Sequence, residues 1–319
     1  MKAEILIQNK DEIYIPVVLE DITYNVERFG APSSLTFKVI KDDVLNITEG
    51  NSVSFKWDGT EIFFGYIFSM RRDKEQIVSI TAYDQLRYLK NKDTYVYENK
   101  TATEVIHMII KDFNLKAGSI EDTGFKIASR VEDNQTLFDI IGNALDLTME
   151  NKKEIYVLYD DFGKITLKSL ENMKLDYILD NETAENFHYT SDINENTYNK
   201  IKLVFNNKET GKRDVYIAQS GDNINNWGIL QYYDTIQEGE NGKAKADALL
   251  SLYNQRTRSL SIKKALGDTR VRGGSLLCIS LDLGDTVLNN YMLVESCKHI
   301  FSLDEHWMDL RVRGGEFVG

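Results

Sequence analysis

The sequence predicts an α+β protein that is mainly β, with β regions at residues 1–88 and 196–319 flanking an α+β module at 89–195. Three observations carry this reading. Apolar and polar residues alternate at period two through the first 88 residues. The interval changes to helical spacing around Val105–Phe113 and Leu137–Leu145. Period-two alternation then resumes from Tyr198 to near Val312. A chain of 319 residues also exceeds a single domain, which usually runs about 100 to 150 residues.

In the first region Glu4–Ile7, Ser34–Val39, Ser52–Trp57 and Ile77–Tyr83 read as strands. Asp58–Gly59, between the Trp57 run and Ile62–Ile67, reads as a tight hairpin turn, because glycine supplies the positive φ such a turn needs. The region is expected to form a small barrel or sandwich. In the middle region Thr101–Glu104 has the form of a capping box ahead of Val105, Ile106, Ile109, Ile110 and Phe113. A second helix carries Leu137, Ile140, Ile141, Ala144 and Leu145, with Asn134 or Thr136 available as its cap. Ile155–Tyr159, the turn Asp160–Gly163 and Lys164–Lys168 then make a hairpin. In the third region Lys200–Phe205 and Asp214–Ala218 are strands joined through the turn-prone stretch Asn206–Gly211. One helix, marked by Ala244, Ala248, Leu249, Leu252 and Tyr253, precedes Ser259–Ile262 and the closing strands.

The end of the first region is echoed at the end of the chain. Leu45–Val53, Phe64–Ile67 and Ile77–Ile80 correspond to Leu281–Val287, Tyr291–Glu295 and Met308–Val312. The offsets are close, 284 − 50 = 234 and 312 − 80 = 232. Each copy sets glycine, a polar residue, a hydroxyl residue and valine before a strand, a turn and a long closing strand. Either two related β domains flank the middle module, or the likeness is the generic one of strand–turn–strand sequences.

Composition narrows the function. Hydrophobic residues make up 42% and charged residues 28% of the chain, as in an ordinary globular protein. Aromatic content of 11% argues against extended disorder. The only prolines, Pro16 and Pro32, lie near the start, so any linkers are short. A net charge of −12, from 38 basic and 50 acidic residues, disfavours a broad phosphate-binding face and stable nucleic-acid binding. No apolar run reaches the roughly 18 residues of a membrane span, and the N-terminal residues lack a signal h-region. Cys278 and Cys297, each in an apolar strand-like segment, read as reduced, buried thiols, consistent with a cytoplasmic site of folding.

No cofactor is expected, because no GxSxG, P-loop, GxGxxG or HExxH pattern is present. Of the four histidines, His107, His188, His299 and His306, no pair has metal-site spacing; His107 reads as a helix-boundary residue and His306 as packing in a turn. Glycosidases need only two carboxylates about 5 to 9.5 Å apart, so Asp160 and Asp161 merit attention; as neighbours at a hairpin tip they read as a solvated turn. Asp282 and Asp285 around Gly284 likewise read as a turn, since a calcium loop needs further oxygen ligands at alternating positions. Arg256, Arg258, Lys263, Lys264, Arg270 and Arg272 form a basic cluster with Asp268 as its one nearby acid. It is either a solvated face or a docking surface for an acidic partner or neighbouring subunit. Trp227, Tyr232 and Tyr233, in a Gly- and Asn-rich loop context, are either core residues or an aromatic interface anchor.

Several stretches carry a resemblance to a known family. They are Val78–Asp84 running into Gln85–Leu89, Thr101–Ile106, Gln135–Ile141, Tyr159–Lys164 and Asn196–Ile201. In their order and spacing the chain resembles the XkdQ/YqbQ-type baseplate hub proteins of contractile phage tails and tail-like bacteriocins. That resemblance implies a non-enzymatic structural protein with two tube-like β-barrel domains. Three chains would form a homotrimeric, pseudo-sixfold ring joining the hexameric tail tube to the trimeric central spike. The implied partners are the chain itself, the tube protein, the spike protein and other baseplate proteins. A peptidoglycan-cleaving domain, which some hub proteins carry, has no room before Gly319. The rival reading is a cell-wall carbohydrate-binding or glycan-cleaving tail protein using Asp160, Asp161 or the Trp227 loop; a third is a receptor-binding tail protein.

Overall fold

The computed structural model describes residues 2–19, 21–194, 197–206, 211–236, 241–284, 286–302 and 304–314. Its first strands are β1 (Ala3–Asn9), β2 (Glu12–Tyr14), β3 (Ile22–Glu27), β4 (Ser34–Ile40), β5 (Ser52–Trp57), β6 (Thr60–Arg72) and β7 (Ile77–Tyr83). A 3₁₀ turn at Gln85–Lys90 leads to β8 (Lys92–Lys100), α1 (Ala102–Asp112), β9 (Ala117–Ile120), β10 (Ile127–Thr136) and α2 (Leu137–Lys152). Next come β11 (Tyr156–Asp160), β12 (Ile165–Ser169), β13 (Lys174–Leu179), β14 (Ala184–Asp192), β15 (Lys200–Asn206) and β16 (Arg213–Gln219). The chain continues through α3 (Gly221–Trp227), β17 (Gln231–Thr235), α4 (Gly242–Tyr253) and β18 (Thr257–Leu266). It closes with β19 (Leu276–Asp282), β20 (Val287–Ser302) and β21 (Glu305–Arg313).

Two compact units result, one of residues 1–188 and 261–313, the other of residues 189–260 with 314–319. In the first unit the strands read at both ends of the sequence join a single thirteen-stranded sheet. Its path is β14-β18-β21-β20-β3-β4-β7-β6-β5-β1-β2, with β19 beside β20 and β13 beside β19. The alternation seen in the sequence places Leu35, Phe37, Val53, Phe55 and Ile80 inward, each at most 2% exposed. Phe301 of β20 joins that core, with ring centroids 5.0 Å from Phe55 and 4.9 Å from Trp57. Asp58 and Gly59, at φ 49° and 77°, form the expected turn between β5 and β6. Among the described residues the pairings close no barrel.

The capping box forms as expected. Thr101 Oγ1 accepts from Glu104 N at 3.2 Å, and Thr101 N donates to Glu104 Oε2 at 2.7 Å. For α2 the cap is Thr136, whose hydroxyl accepts from Asp139 N at 3.1 Å. The buried faces of both helices pack with Leu86, Leu89, Leu158 and Leu167 in a second core. The β8–β10 pair was not legible, because its two-stranded ribbon buries Tyr95 and Tyr97 on one face and leaves Val96 and Val131 68% and 69% exposed.

In the second unit β15 lies between antiparallel β16 and parallel β17, over a core of Ile201, Leu203, Ala218, Ile236 and Ala246. α3 is an addition to the one helix expected here, held by Ser220, whose hydroxyl accepts from Asn223 N. Its short polar sequence, Gly221–Trp227, carries no apolar stripe to mark it. Residues 207–210 of the expected turn between β15 and β16, and Asn196, lie outside the described residues.

The internal repeat is present in the sheet, in a register different from the sequence alignment. β5-β6-β7 and β19-β20-β21 are both antiparallel meanders. Ser52 faces Tyr66 as Leu276 faces Leu293, and Ala82 faces Ile67 as Val312 faces Val294. Each middle strand carries a bulge, between Ile67 and Ser69 and between Val294 and Ser296. The backbone hydrogen bonds agree too. Gly50 N donates to Ile67 O and Ile67 N to Asn51 O, as Gly274 N does to Val294 O and Val294 N to Ser275 O. The counterpart of Gly50 is therefore Gly274 (274 − 50 = 224), not Gly284. Gly284 instead sits in the turn between β19 and β20, where Asp58–Gly59 sits between β5 and β6. A Gly-polar-hydroxyl-Val string ends a turn in either place, which is why the sequence aligned the wrong pair.

Candidate functional site

A buried polar cluster lies under the β11–β12 turn. Asp160 ends β11 and, contrary to the solvated turn expected of it, is only 5% exposed. Its Oδ1 accepts from Gly163 N at 2.6 Å, and its Oδ2 has no hydrogen-bond partner. Asp161, its neighbour, is exposed. Asp160 is the last residue of β11, which is buried from Val157 onward, whereas Asp161 lies beyond the strand in the turn to Lys164. Asp84, 1% exposed, caps the 3₁₀ turn through Leu86 N and also accepts from Ser33 N, both at 3.0 Å. Gln85 completes the tie: its amide donates to Gly163 O at 2.6 Å, and its Oε1 accepts from Lys116 N at 2.9 Å. Burial raises Asp160 to about 6 and holds Asp84 well above the usual carboxylate range, with the charge of Asp160 adding to the second effect.

A raised carboxyl is the starting point for general-acid chemistry. The nearest cleft, about 270 Å3 and lined by Phe64, Tyr66, Gln85, Tyr88, Lys116 and Gly163 among others, includes neither Asp84 nor Asp160. Neither carboxyl of the pair opens into this cleft. Arg272 covers the pair, donating through Nη1 to the Asp160 carbonyl at 3.2 Å while its guanidinium lies 4.2 Å from the Tyr159 ring centroid. What this arrangement can do is lock the hairpin tip onto the end of β7.

The histidines differ from expectation as well. His306 is on β21, not in a turn, and β-pairing brings it to His299, with Nδ1 of His299 2.9 Å from Nε2 of His306. Nε2 of His299 lies 2.9 Å from the carbonyl of Val271 and must donate to it, so Nδ1 accepts the His306 proton. Burial, then the neighbouring histidine, lowers His299 to about 3; burial lowers His306 to about 4. His306 stacks on Phe301 at 4.2 Å. Cys297 is buried with Sγ 3.1 Å from Nε2 of His299, and Cys278 is half-buried; both are free thiols. Among the described residues no three His, Cys, Asp or Glu side chains converge on a metal position. Asp285 lies outside the described residues, and Asp282 Oδ1 accepts from Gly284 N at 2.9 Å, as a turn does.

The basic residues are divided between the two units, and Asp268 is not their one acid. Lys263 pairs with Asp309 and Lys264 with Glu185, both at 2.9 Å. Arg270 bridges Asp176 and Asp268, each at 2.7 Å. Asp309, Glu185 and Asp176 are distant in sequence and reach the cluster only through the sheet. Arg256, exposed, and Arg258, half-buried, belong to the second unit. Of the aromatic trio, Trp227 ends α3, and Tyr232 and Tyr233 lie on β17, not in a loop. Tyr232 packs with Tyr198 and stacks on Tyr253 at 5.9 Å, whereas Tyr233, one position on, is 52% exposed.

The comparisons with known proteins agree with this mainly β fold. The sequence pattern of the YQBQ-like family matches residues 22–313. Protein YqbQ of Bacillus subtilis (strain 168) is 30% identical over 315 residues, 95% of this chain and 94% of its own length. The phage-like element PBSX protein XkdQ of the same organism is 29% identical over the same shares. Among solved structures, the 43 kDa tail protein of prophage MuSo2 from Shewanella oneidensis superposes with a TM-score of 0.69 at 12% identity, covering 97% of this chain and 98% of that one. The tail protein from Neisseria meningitidis MC58 gives 0.65 at 12% identity, covering 98% and 96%. The chain is mainly β, has the fold of these tail proteins, and belongs to the YQBQ-like family.

Proposed function

We propose that the chain is a structural subunit of a baseplate hub in a contractile tail or tail-like bacteriocin. It acts as a non-enzymatic homotrimer whose pseudo-sixfold ring joins the hexameric tail tube to the trimeric spike. The observation that carries this is the duplicated meander: one chain supplies two equivalent β elements, so three chains supply six. The regions 1–88 and 196–319 would act as the tube-like domains and 89–195 as the module between them. Partners are further copies of the chain, the tube and spike proteins and other baseplate proteins. The protein would be made in the bacterial cytoplasm and then built into the tail. Arg256, Arg258, Arg270, Arg272, Trp227, Tyr232 and Tyr233 are the candidates for contacts; exposure favours Arg256, Arg270 and Tyr233 among them.

Support comes from the tail-protein fold and the family. Obligate rings bury thousands of Å2, on the order of 2,000 to 5,000, and need no active site. The test is mass measurement with negative-stain imaging of the purified protein, alone and with the tube protein. Trimeric rings that bind tube ends are expected. Monomers that form no ring and ignore the tube would overturn the proposal.

A further inference from the structure

The cleft beside the buried carboxylates lies wholly within the first unit and is walled by aromatic rings. One wall is a face of β6, where Phe64, Tyr66 and Phe68 stand two apart and are all half-buried. Tyr88, from the 3₁₀ turn, bridges the last two, with ring centroids 6.3 Å from Tyr66 and 6.1 Å from Phe68. Phe162 extends the row, 5.9 Å from Phe64. A Cβ at Gly163 would lie 2.6 Å from the Phe64 ring, so glycine lets that ring rest against the β11–β12 turn. The facing wall is the segment Phe113 to Lys116 that leaves α1. It is held where Leu115 N donates to Ile110 O at 2.8 Å and Lys116 N to Gln85 Oε1 at 2.9 Å. No carboxylate lines the cleft. Two cations stand over the row: Lys116 Nζ is 5.8 Å from the Phe64 centroid, and the Arg87 guanidinium is 5.3 Å from that of Phe68. Among the described residues neither has an acidic partner, in a chain with 50 acidic residues and a net charge of −12. Lys56, by contrast, lies over Phe162 and pairs with Glu61 at 3.2 Å.

We propose that this cleft binds an acidic peptide segment of another protein, taking one aromatic side chain between its walls and the flanking carboxylates on Lys116 and Arg87. Size sets the first limit. The cleft holds about 270 Å3, below the roughly 300 to 1,000 Å3 of sites for drug-sized ligands, so it suits a single ring. Charge sets the second, because unpaired cations beside apolar walls complement an anchor side chain flanked by acids. A saccharide would need free, directed polar groups. Gln85, the polar floor, is already spent: its amide donates to Gly163 O and Lys116 O, and its carbonyl accepts from Lys116 N. Single-stranded nucleic acid stacks its bases on ring faces, but neighbouring rings in this row are turned 54° to 78° from one another and offer no common platform. The site uses no symmetry between subunits, so it stands apart from the ring reading above.

Fluorescence anisotropy on the full chain tests it, with labelled peptides acetyl-Asp-Glu-Xaa-Glu-Asp-amide in which Xaa is Trp, Tyr or Phe. Controls carry Ala at the centre, or Asn and Gln in place of the acids. At least one aromatic acidic peptide should bind saturably, about 30-fold better than its Ala control, and more weakly as salt is added. Lys116→Gln should weaken it about 5-fold. Lys116→Glu, whose side chain carries none of the backbone ties to Gln85, should lose the acidic peptide and prefer the basic counterpart acetyl-Lys-Arg-Trp-Arg-Lys-amide at an unchanged thermal midpoint. A variant damaged in folding would make no such exchange. The proposal is overturned if no acidic aromatic peptide binds the wild type, or if Lys116→Glu binds it as the wild type does. Binding of an N-acetylglucosamine oligomer or of oligothymidine that Lys116→Glu abolishes, with no peptide binding, would give the cleft to a glycan or a nucleic acid instead. Self-association of the wild type that Lys116→Glu abolishes, again with no peptide binding, would give it to a second copy of the chain.

Discussion

Replacing Asp160 with asparagine should stabilise the protein at neutral pH and leave it unchanged in acid. The carboxyl rises from 3.8 to about 6 on folding, a gap of about 2.2 pH units, which at 1.36 kcal/mol each amounts to about 3 kcal/mol. The folded state holds this proton more tightly than the unfolded one, so stability falls as pH rises from 3.8, and the full cost is reached above about 6. At pH 4.5 the same two values leave a cost of about 1 kcal/mol. Asparagine removes the charge but weakens the bond from Gly163 N, a loss of about 1 kcal/mol. The variant should therefore exceed the wild type by about 2 kcal/mol at pH 7 and match it near pH 4.5. His299 and His306 act in the opposite sense, because their lowered values favour the neutral folded state and cost stability as pH falls below 6.5. They do so in both proteins, so the quantity to follow is the difference between the two urea midpoints, scaled by the common slope. A difference that is the same at both pH values would refute the reasoning.

Thr101→Ala removes one half of the α1 capping box and should cost about 1 kcal/mol, read as a lower thermal midpoint. Phe301→Ala empties a position shared by Phe55, Trp57 and His306, and should cost about 3 to 5 kcal/mol in a urea titration. His306→Gln keeps a donor for His299 Nδ1 but cannot be protonated; the midpoint should then fall less steeply between pH 6.5 and 4 than in the wild type.

Strands and helices with a one-sided pattern were legible in the sequence: the Asp58–Gly59 hairpin, the Thr101 box and the Leu137–Leu145 stripe all form where expected. What the sequence hid depends on pairing between distant residues. Asp160 looked like half of an exposed turn because nothing nearby shows that Asp84, Gln85 and Arg272 close over it from 76, 75 and 112 positions away, counted as 160 − 84, 160 − 85 and 272 − 160. His299 and His306 lie seven apart, a spacing that means nothing until a hairpin turns between β20 and β21. The repeat was legible as likeness but not as register, since register resides in hydrogen bonds such as Gly274 N to Val294 O.

β14 and β18 are antiparallel neighbours whose far ends meet where the Thr257 hydroxyl donates to the carbonyl of Asp192 at 3.3 Å. Topologically they are one hairpin with a folded domain where others have a two-residue turn. Loop-closure entropy grows only with the logarithm of length, each doubling costing about 0.6 kcal/mol. The sheet is therefore nearly indifferent to what sits between Asp192 and Thr257. That position can gain, lose or exchange cargo over evolutionary time, or accept an engineered insert, while the strand order on either side stays the same.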